Sequence, residues 1–143
     1  MNDTNQKIIL AGGSGFLGQS LARHFAARGC EVVVLSRRPA PDQSRIRGVQ
    51  WDAKGLGDWA RELDGAHALI NLTGRSVDCR YSAANRKEIL GSRLDATRVL
   101  GKAIRGCAKQ PGVWLNAASA TIYADTRGDT PANDEEQGVI GEG

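Results

Sequence analysis

Three glycines near the N-terminus have the spacing of an anion-binding loop. Gly12, Gly15 and Gly18 lie three residues apart, directly after an apolar run. The first permits a tight turn, the second lets a ligand approach the backbone, and the third lets a helix pack closely on a strand. Free N–H groups at the start of that helix would bind a pyrophosphate. The alternative is a glycine-rich turn without a ligand. The residues expected to contact the ligand are Gly12, Ser14, Gly15, Phe16, Leu17 and Gly18.

The residues after the second apolar run decide which ligand the loop would bind. Because no Gly-Lys-Ser/Thr follows the glycines, a mononucleotide P-loop is excluded and a dinucleotide site remains. An NAD site usually places Asp or Glu about 20 residues past the loop, where this sequence has Ser36, Arg37 and Arg38. A guanidinium can bind a 2′-phosphate, and a serine can add a hydroxyl donor. We therefore predict NADP(H) rather than NAD(H); the competing interpretation is that both arginines are solvated loop charges.

Strands and helices that alternate along the chain must position these residues. Such alternation indicates parallel strands joined by right-handed crossovers. We predict a doubly wound parallel α/β sheet, the Rossmann fold, that stops after its fifth strand. Trp51, Trp59 and Trp114 are expected in its core. The predicted strands are 7–11, 31–35, 48–51, 66–72 and 113–118, and the predicted helices are 15–29, 58–63 and 82–107.

The composition limits the class of protein. The 143 residues suffice for one domain, and 41% hydrophobic with 24% charged residues exclude a disordered polyelectrolyte. No apolar run approaches the ~18 residues of a membrane span, and the first residues do not form a signal peptide, so a cytoplasmic protein without membrane contact is expected. Cys30, Cys79 and Cys107 lie too far apart for a zinc site or a disulfide framework, and we predict no metal.

Charge divides the sequence into two parts. The net charge of +3 combines a basic stretch over residues 1–123 with an acidic one over residues 124–143. The basic residues are scattered through predicted helices, so we expect a local anion site and no nucleic-acid partner. We predict a dinucleotide-binding domain over 1–123 and an acidic tail over 124–143 that leads to a substrate region beyond Gly143. Apolar surface left uncovered there predicts either self-association or partial disorder after Tyr123.

Four motifs in order resemble those of the extended short-chain dehydrogenase/reductases. They are the glycine loop, the Ser36-Arg37 pair, residues 71–74 (Asn-Leu-Thr-Gly) and residues 118–123 (Ala-Ser-Ala-Thr-Ile-Tyr). The resemblance covers nearly all of the chain to Tyr123. Four further segments resemble one branch of this superfamily, the atypical, nucleoside-diphosphate-sugar epimerase-like proteins. These segments are 51–52, 70–74, 86–89 and 92–93.

The resemblance implies roles for further cofactor-binding residues. Ser36 and Arg37 would hold the phosphate on the adenosine, and the turn Leu72-Thr73-Gly74 would line the cofactor through its backbone. Asp52 would accept from the adenine amine, although an Asp that caps its own loop is an equal alternative. Two charges on the long helix, Glu88 and Arg93, would also face the cofactor; the alternative is that they are ordinary surface charges.

The resemblance also implies a reaction. Ser119 occupies the position of the superfamily's catalytic serine or threonine; the alternative is a small hydroxyl that packs at the end of a strand. The superfamily's proton donor, the Tyr of Tyr-x-x-x-Lys, does not occur in this sequence. The resemblance therefore implies an epimerase-like oxidoreductase that transfers hydride with a small-molecule carbonyl or hydroxyl substrate such as a nucleotide sugar. A non-catalytic NADPH-binding sensor is the alternative.

Overall fold

Five parallel strands and three helices form the fold in the computed structural model, which describes residues 5–119 and 122–141. The order in the sheet is β3-β2-β1-β4-β5, with every neighbouring pair parallel. This is the doubly wound arrangement, in which the order of successive strands across the sheet reverses at the boundary between β1 and β4. The predicted fold class is confirmed. The elements are β1 (Lys7–Ala11), α1 (Phe16–Ala27), β2 (Glu31–Ser36), β3 (Ile46–Gln50), a 3-10 helix (Asp58–Leu63), β4 (Ala68–Asn71), α2 (Ala83–Gly106) and β5 (Val113–Asn116).

Side chains of the central strand pack against both layers of helices. Successive residues of a strand point to opposite faces, so Ile9 belongs to the cluster that includes Leu100 of α2, whereas Leu10 belongs to the cluster that includes Ala22 of α1. Ile9, Leu10 and Leu100 are fully buried. A strand covered on both faces explains why β1 is a continuous apolar run.

The two long helices begin differently. The Ser82 hydroxyl accepts from the Asn85 N–H at 3.2 Å and caps α2, whose predicted bounds differ by one residue at each end. The N-cap of α1 is Gly15, which provides no side-chain acceptor, and its first turn contains no acidic residue. The start of α1 is therefore left for some other group to satisfy.

The tryptophans occupy two kinds of environment. Trp51 and Trp59 are each 4% exposed and pack edge to face with ring centroids 5.2 Å apart, as expected of core residues. The expectation for Trp114 is wrong, because 37% of this residue is exposed. Trp114 lies on β5, the last strand of the sheet, where no further strand of the described chain covers it.

The segment after β5 folds back on itself. Tyr123 and Ile140 form an isolated antiparallel bridge, and the Ala124 N–H donates to the Val139 carbonyl at 2.7 Å. Residues 124–139 contain no helix or strand, as the sequence predicts. Ala120 and Thr121 of the motif at 118–123 lie outside the described residues, as do residues 1–4 and 142–143. None of the described helices has the length and apolar character that a bilayer crossing requires.

Candidate functional site

Gly12 makes the turn that leads out of β1. Its φ of +72° lies in the left-handed region, which glycine adopts without strain. A Cβ at this position would lie 2.9 Å from Thr73 Oγ1 and 3.0 Å from Thr73 Cα. The Gly12 N–H donates to the Leu35 carbonyl at 2.9 Å, which ties the loop to the end of β2. Gly12 thus brings the carboxyl ends of β1, β2 and β4 together.

A second close approach joins the loop to α1. A Cβ on Gly18 would overlap the backbone of Gly13, and a Cβ on Gly13 would lie 2.8 Å from the Leu10 Cβ. The predicted packing role of Gly18 is therefore what the structure shows. Gly13 has the same requirement, although the three-residue spacing does not single it out. The adjacent pair of glycines is the signal that indicates it.

Gly15 differs from these three glycines because nothing lies within 4 Å of the position that its Cβ would occupy. Its φ of −78° and ψ of 179° are available to any residue. Neither packing nor backbone conformation therefore requires glycine here. Phe16 and Leu17, which follow, are 88% and 61% exposed. This open side of the loop fits a ligand that contacts the backbone directly.

The N–H groups at the start of α1 complete this surface. The first N–H groups of an α-helix have no acceptor within the helix, and an anion can satisfy them with help from the helix dipole. The Gln19 side chain donates to the Ser14 carbonyl at 2.9 Å and fixes the loop from the helix side. The predicted loop residues 12–18 therefore lie together at the carboxyl end of β1.

An open cleft of about 570 Å³ connects the glycine loop with the arginines after β2. It is lined by Ser14, Ser36, Arg37 and Arg38. Both arginines are exposed, and neither guanidinium makes a hydrogen bond or ion pair with another residue in the described part of the chain. Two unpaired cations thus share a cleft with the predicted pyrophosphate loop.

Ser36 is committed to the local backbone. Only 6% of this residue is exposed, and its hydroxyl accepts from the Arg38 N–H at 3.2 Å and donates to the Arg38 carbonyl at 3.1 Å. A hydroxyl has a single proton to donate. In this arrangement Ser36 closes a turn that presents the arginines, while its contact with a cofactor phosphate stays a prediction.

The turn after β4 lies beside the glycine loop. The Leu72 N–H donates to the Ala11 carbonyl at 2.8 Å, and the Thr73 N–H donates to Asn71 Oδ1 at 3.1 Å. Asn71, which is 4% exposed, also donates from Nδ2 to Asn116 Oδ1 at 2.9 Å across β4 and β5. Sequence reasoning missed this bracing role of the two asparagines; their matched positions at the ends of two apolar runs are the signal that could have found it.

Thr73 carries a buried hydroxyl without a partner. Oγ1 is the buried side-chain polar atom that lacks a hydrogen bond within the described residues. It lies beside the Gly12 backbone. Leaving such a group unsatisfied costs free energy, so a polar ligand or water at this point would stabilise it. The structure thus places two of the predicted cofactor residues, Thr73 and Gly12, next to each other.

Glu88 and Arg93 hold the loop after β4 on α2. Arg75 forms an ion pair with Glu88 and donates to Asn85 Oδ1 at 3.1 Å. The Arg93 guanidinium donates to the Ile89 carbonyl at 3.0 Å and lies 2.9 Å from where a Cβ on Gly74 would be. These contacts give both residues a structural use, and their orientation toward a cofactor stays a prediction. Arg75 was missed because the sequence does not show which charges meet across a loop.

Asp52 caps its own loop, as one of the two interpretations expects. Its Oδ1 accepts from the N–H groups of Gly55 and Lys54, each at 2.9 Å. These backbone hydrogen bonds, with that from Gly55 the larger cause, hold the pKa of Asp52 below its ordinary value. The carboxylate therefore stays charged at neutral pH. Its contact with adenine remains a prediction.

Ser119 lies three residues beyond the end of β5. Its carbonyl accepts from the Ile122 N–H at 3.1 Å, and the residue is exposed. The carboxyl ends of all five parallel strands lie at one edge of the sheet, so Ser119 follows the same edge as the glycine loop. Its catalytic role stays a prediction.

The glycine loop, the order of the strands and the clustering of the predicted residues at their carboxyl ends define an NAD(P)-binding Rossmann domain. The model of the NAD dependent epimerase/dehydratase family matches residues 8–140, and the chain belongs to this family.

Similar proteins carry this domain within a longer chain. The epimerase family protein SDR39U1 of Bos taurus is 32% identical over 136 residues, which are 90% of this chain and 43% of that protein. The crystal structure of human SDR39U1 with NADPH has a TM-score of 0.68 at 31% identity over 85% of this chain and 39% of its own. MoeE5 in complex with UDP-glucose and NAD has a TM-score of 0.68 at 25% identity over 90% and 41%. The chain thus spans about two fifths of these relatives.

Proposed function

We propose that this chain is the NADP(H)-binding domain of an epimerase-like oxidoreductase. The observation that carries the proposal is the cleft that joins the glycine loop to Arg37 and Arg38. Gly15 is glycine without a steric reason inside the protein, and the two guanidiniums have no partner within the described chain. A dinucleotide with a 2′-phosphate supplies an anion for each of these features.

Each part of the candidate site would contact a different part of the cofactor. The N–H groups that begin α1 would hold the pyrophosphate, and Arg37 with Arg38 would hold the 2′-phosphate. The Thr73 hydroxyl, buried beside Gly12, would donate to or accept from a polar group that enters the turn. The NADPH bound to human SDR39U1 supports this choice of cofactor.

The reaction of the whole protein would be hydride transfer with a nucleotide sugar or another small carbonyl or hydroxyl substrate. A bound nicotinamide supplies the hydride chemistry. Ser119 would hold the substrate oxygen by a hydrogen bond at the carboxyl edge of the sheet. The UDP-glucose and NAD bound to MoeE5 support this substrate class. Residues 1–123 would form the cofactor domain and 124–143 the segment leading to the substrate region.

Calorimetric titration of the chain with NADPH and with NADH tests the cofactor. We expect NADPH to bind at least about tenfold more tightly, because each charge-assisted hydrogen bond to the extra phosphate contributes about 1.5 kcal/mol or more. Equal affinities, or tighter binding of NADH, would contradict the assignment of NADP(H).

A non-catalytic NADPH-binding sensor is the second candidate. These 143 residues contain no Tyr-x-x-x-Lys, but they span about two fifths of the relatives they match, so this absence does not choose between the two candidates. Incubation of the chain with NADPH and a panel of carbonyl compounds should show little turnover, because the chain spans about two fifths of its relatives. The two candidates separate in a full-length relative, where carbonyl-dependent oxidation of NADPH supports the oxidoreductase and binding without turnover supports the sensor.

A further inference from the structure

A loop packed across the edge of the sheet holds the two arginines in place. We propose that Gly48 and Asp42 are positioning residues for Arg37 and Arg38, and that they thereby set the preference for a cofactor with a 2′-phosphate. This inference rests on the proposed function and deepens it. Neither residue lines the cleft, so each would act through the backbone of residues 37–42.

Gly48 lies in β3, the terminal strand of the sheet beside β2. Its N–H donates to Asp42 Oδ1 at 3.0 Å, whereas the N–H of Trp51, three residues on, donates to the Ser36 carbonyl of β2 at 3.1 Å. The Gly48 N–H therefore serves the loop and not the ladder with β2. An edge N–H that a side chain satisfies fixes that side chain to the strand.

The loop also packs on the Gly48 backbone itself. A Cβ at Gly48 would lie 2.6 Å from the Ala40 carbonyl oxygen and 2.9 Å from the Pro39 Cβ. No side chain larger than hydrogen fits in this space while Ala40 keeps its place. Since the φ of Gly48 is not positive, the space is what requires glycine here.

Arg38 is held from both sides as a result. On one side the Ser36 hydroxyl binds both its N–H and its carbonyl. On the other side it is joined to Pro39, which packs on Gly48 and restricts the preceding residue to extended conformations. The Gln43 N–H donates to the Ile46 carbonyl at 2.8 Å, and this hydrogen bond closes the base of the loop.

A loop fixed in this way presents its guanidiniums before the phosphate arrives. Binding to a preorganised site avoids the cost of ordering a loop and its side chains. Displacing residues 39 and 40 should therefore weaken only the contacts to the 2′-phosphate. No hydrogen bond of the described residues joins the pyrophosphate loop at 12–18 to Gly48 or Asp42, so this loop should keep its affinity.

Titration of the Gly48→Ala variant with NADPH and NADH tests the inference. We expect the affinity for NADPH to fall about tenfold while that for NADH stays within about twofold, since one charge-assisted hydrogen bond corresponds to such a factor. Gly106→Ala is the control, because nothing lies within 4 Å of the Cβ that it adds, and its ratio of affinities should equal that of the wild type.

A pair of variants at Asp42 keeps the test decisive if Gly48→Ala fails to fold. Asp42→Asn and Asp42→Ala both remove the charge, but only the amide retains an acceptor for the Gly48 N–H. We expect the ratio of the NADPH affinity to the NADH affinity to be several-fold lower in Asp42→Ala than in Asp42→Asn.

The outcomes distinguish this inference from the proposed function. A wild type without a preference for NADPH overturns both. The positioning role alone is overturned if the wild type prefers NADPH but the variants do not behave as expected. In that case the ratio of the NADPH affinity to the NADH affinity is unchanged in Gly48→Ala and equal in the two Asp42 variants. The expected shifts in the ratio, with the affinity for NADH retained, support it.

Discussion

Gly18 lies directly on the backbone of Gly13, with no room between them for a methyl group. This contact sets the start of α1 against the end of β1. The same loop also contains a glycine with a different use, because Gly15, which lies between these two residues in the sequence, faces open space. Gly18 serves the fold, whereas Gly15 leaves the backbone accessible.

Gly15→Asp should abolish cofactor binding without destabilising the fold. The position is the N-cap of α1 in an extended conformation, where Asp is favoured and adds a charge that the helix dipole attracts. We expect the free energy of unfolding to stay level or rise by a few tenths of a kcal/mol. The carboxylate would occupy the anion site and repel the pyrophosphate. Calorimetry with NADPH and thermal unfolding measure the two effects, and unchanged binding would exclude the loop as the pyrophosphate site.

Gly18→Ala should have the opposite pattern and destabilise the fold. The added methyl overlaps the Gly13 backbone, and overpacking of this kind costs about 1–3 kcal/mol. Urea denaturation followed by circular dichroism measures the change. Gly106→Ala is the matched control, since it is also helical but meets nothing within 4 Å, and should gain up to about 1 kcal/mol. A Gly18→Ala variant as stable as the control would show that α1 can move away from the loop.

Arg37→Ala should weaken NADPH selectively. Its guanidinium makes no ion pair within the described chain, so its removal costs little folding stability. We expect an approximately tenfold lower affinity for NADPH and an unchanged affinity for NADH, because only NADPH carries the phosphate. The exposed helical residue Arg98 offers a control of the same charge, and Arg98→Ala should bind both cofactors as the wild type does. A parallel loss of both cofactors in Arg37→Ala would place this arginine elsewhere in the site.

Glu62→Gln should reduce stability in a pH-dependent way. Arg47 of β3 donates to both carboxylate oxygens of Glu62, at 3.1 Å and 2.6 Å, and this pairing lowers the pKa of Glu62. A pKa lower in the folded than in the unfolded state contributes stability that is complete above the unfolded value and is lost as the pH falls through the folded one. We expect the variant to be about 1 kcal/mol less stable at neutral pH, since Arg47 is partly solvated.

Urea denaturation from about pH 7 to pH 3 follows this difference, which should shrink as the pH falls below the ordinary pKa of a glutamate. Glu31 provides the control, because its carboxylate lies 3.7 Å from Arg47 and is half exposed. Glu31→Gln should change stability little at any pH. A constant difference between Glu62→Gln and the wild type over the whole range would show that the ion pair is not its source.

Local patterns predicted the elements of the fold because each depends on neighbouring residues. The apolar run at 7–11 gave the bounds of β1, and Ser82 marked the start of α2. The prediction that Trp114 is buried was wrong, because burial depends on which elements lie alongside a strand, and β5 is the last strand in the sheet. The 3-10 form of residues 58–63 also depends on tertiary packing, since two of its side chains, Trp59 and Leu63, are buried against the core.

The candidate site was predicted where one short segment carries the chemistry. The glycine loop and the arginines after β2 are such segments. Contacts between separate elements were not predicted, such as that of Asn71 in β4 with Asn116 in β5 and that of the Asp42 side chain with Gly48 in β3. Such hydrogen bonds depend on how the elements pack, which no single segment of the sequence specifies.

The place of β1 at the centre of the sheet also constrains the order of events during synthesis. Ile9 is aligned with Val33 on one side and with Leu69 on the other. A nascent chain can form the first of these ladders early, but the second must wait until β4 has left the ribosome. Until then, one backbone edge of the central strand remains available to other polypeptides, which makes the emerging chain a candidate for protection by chaperones.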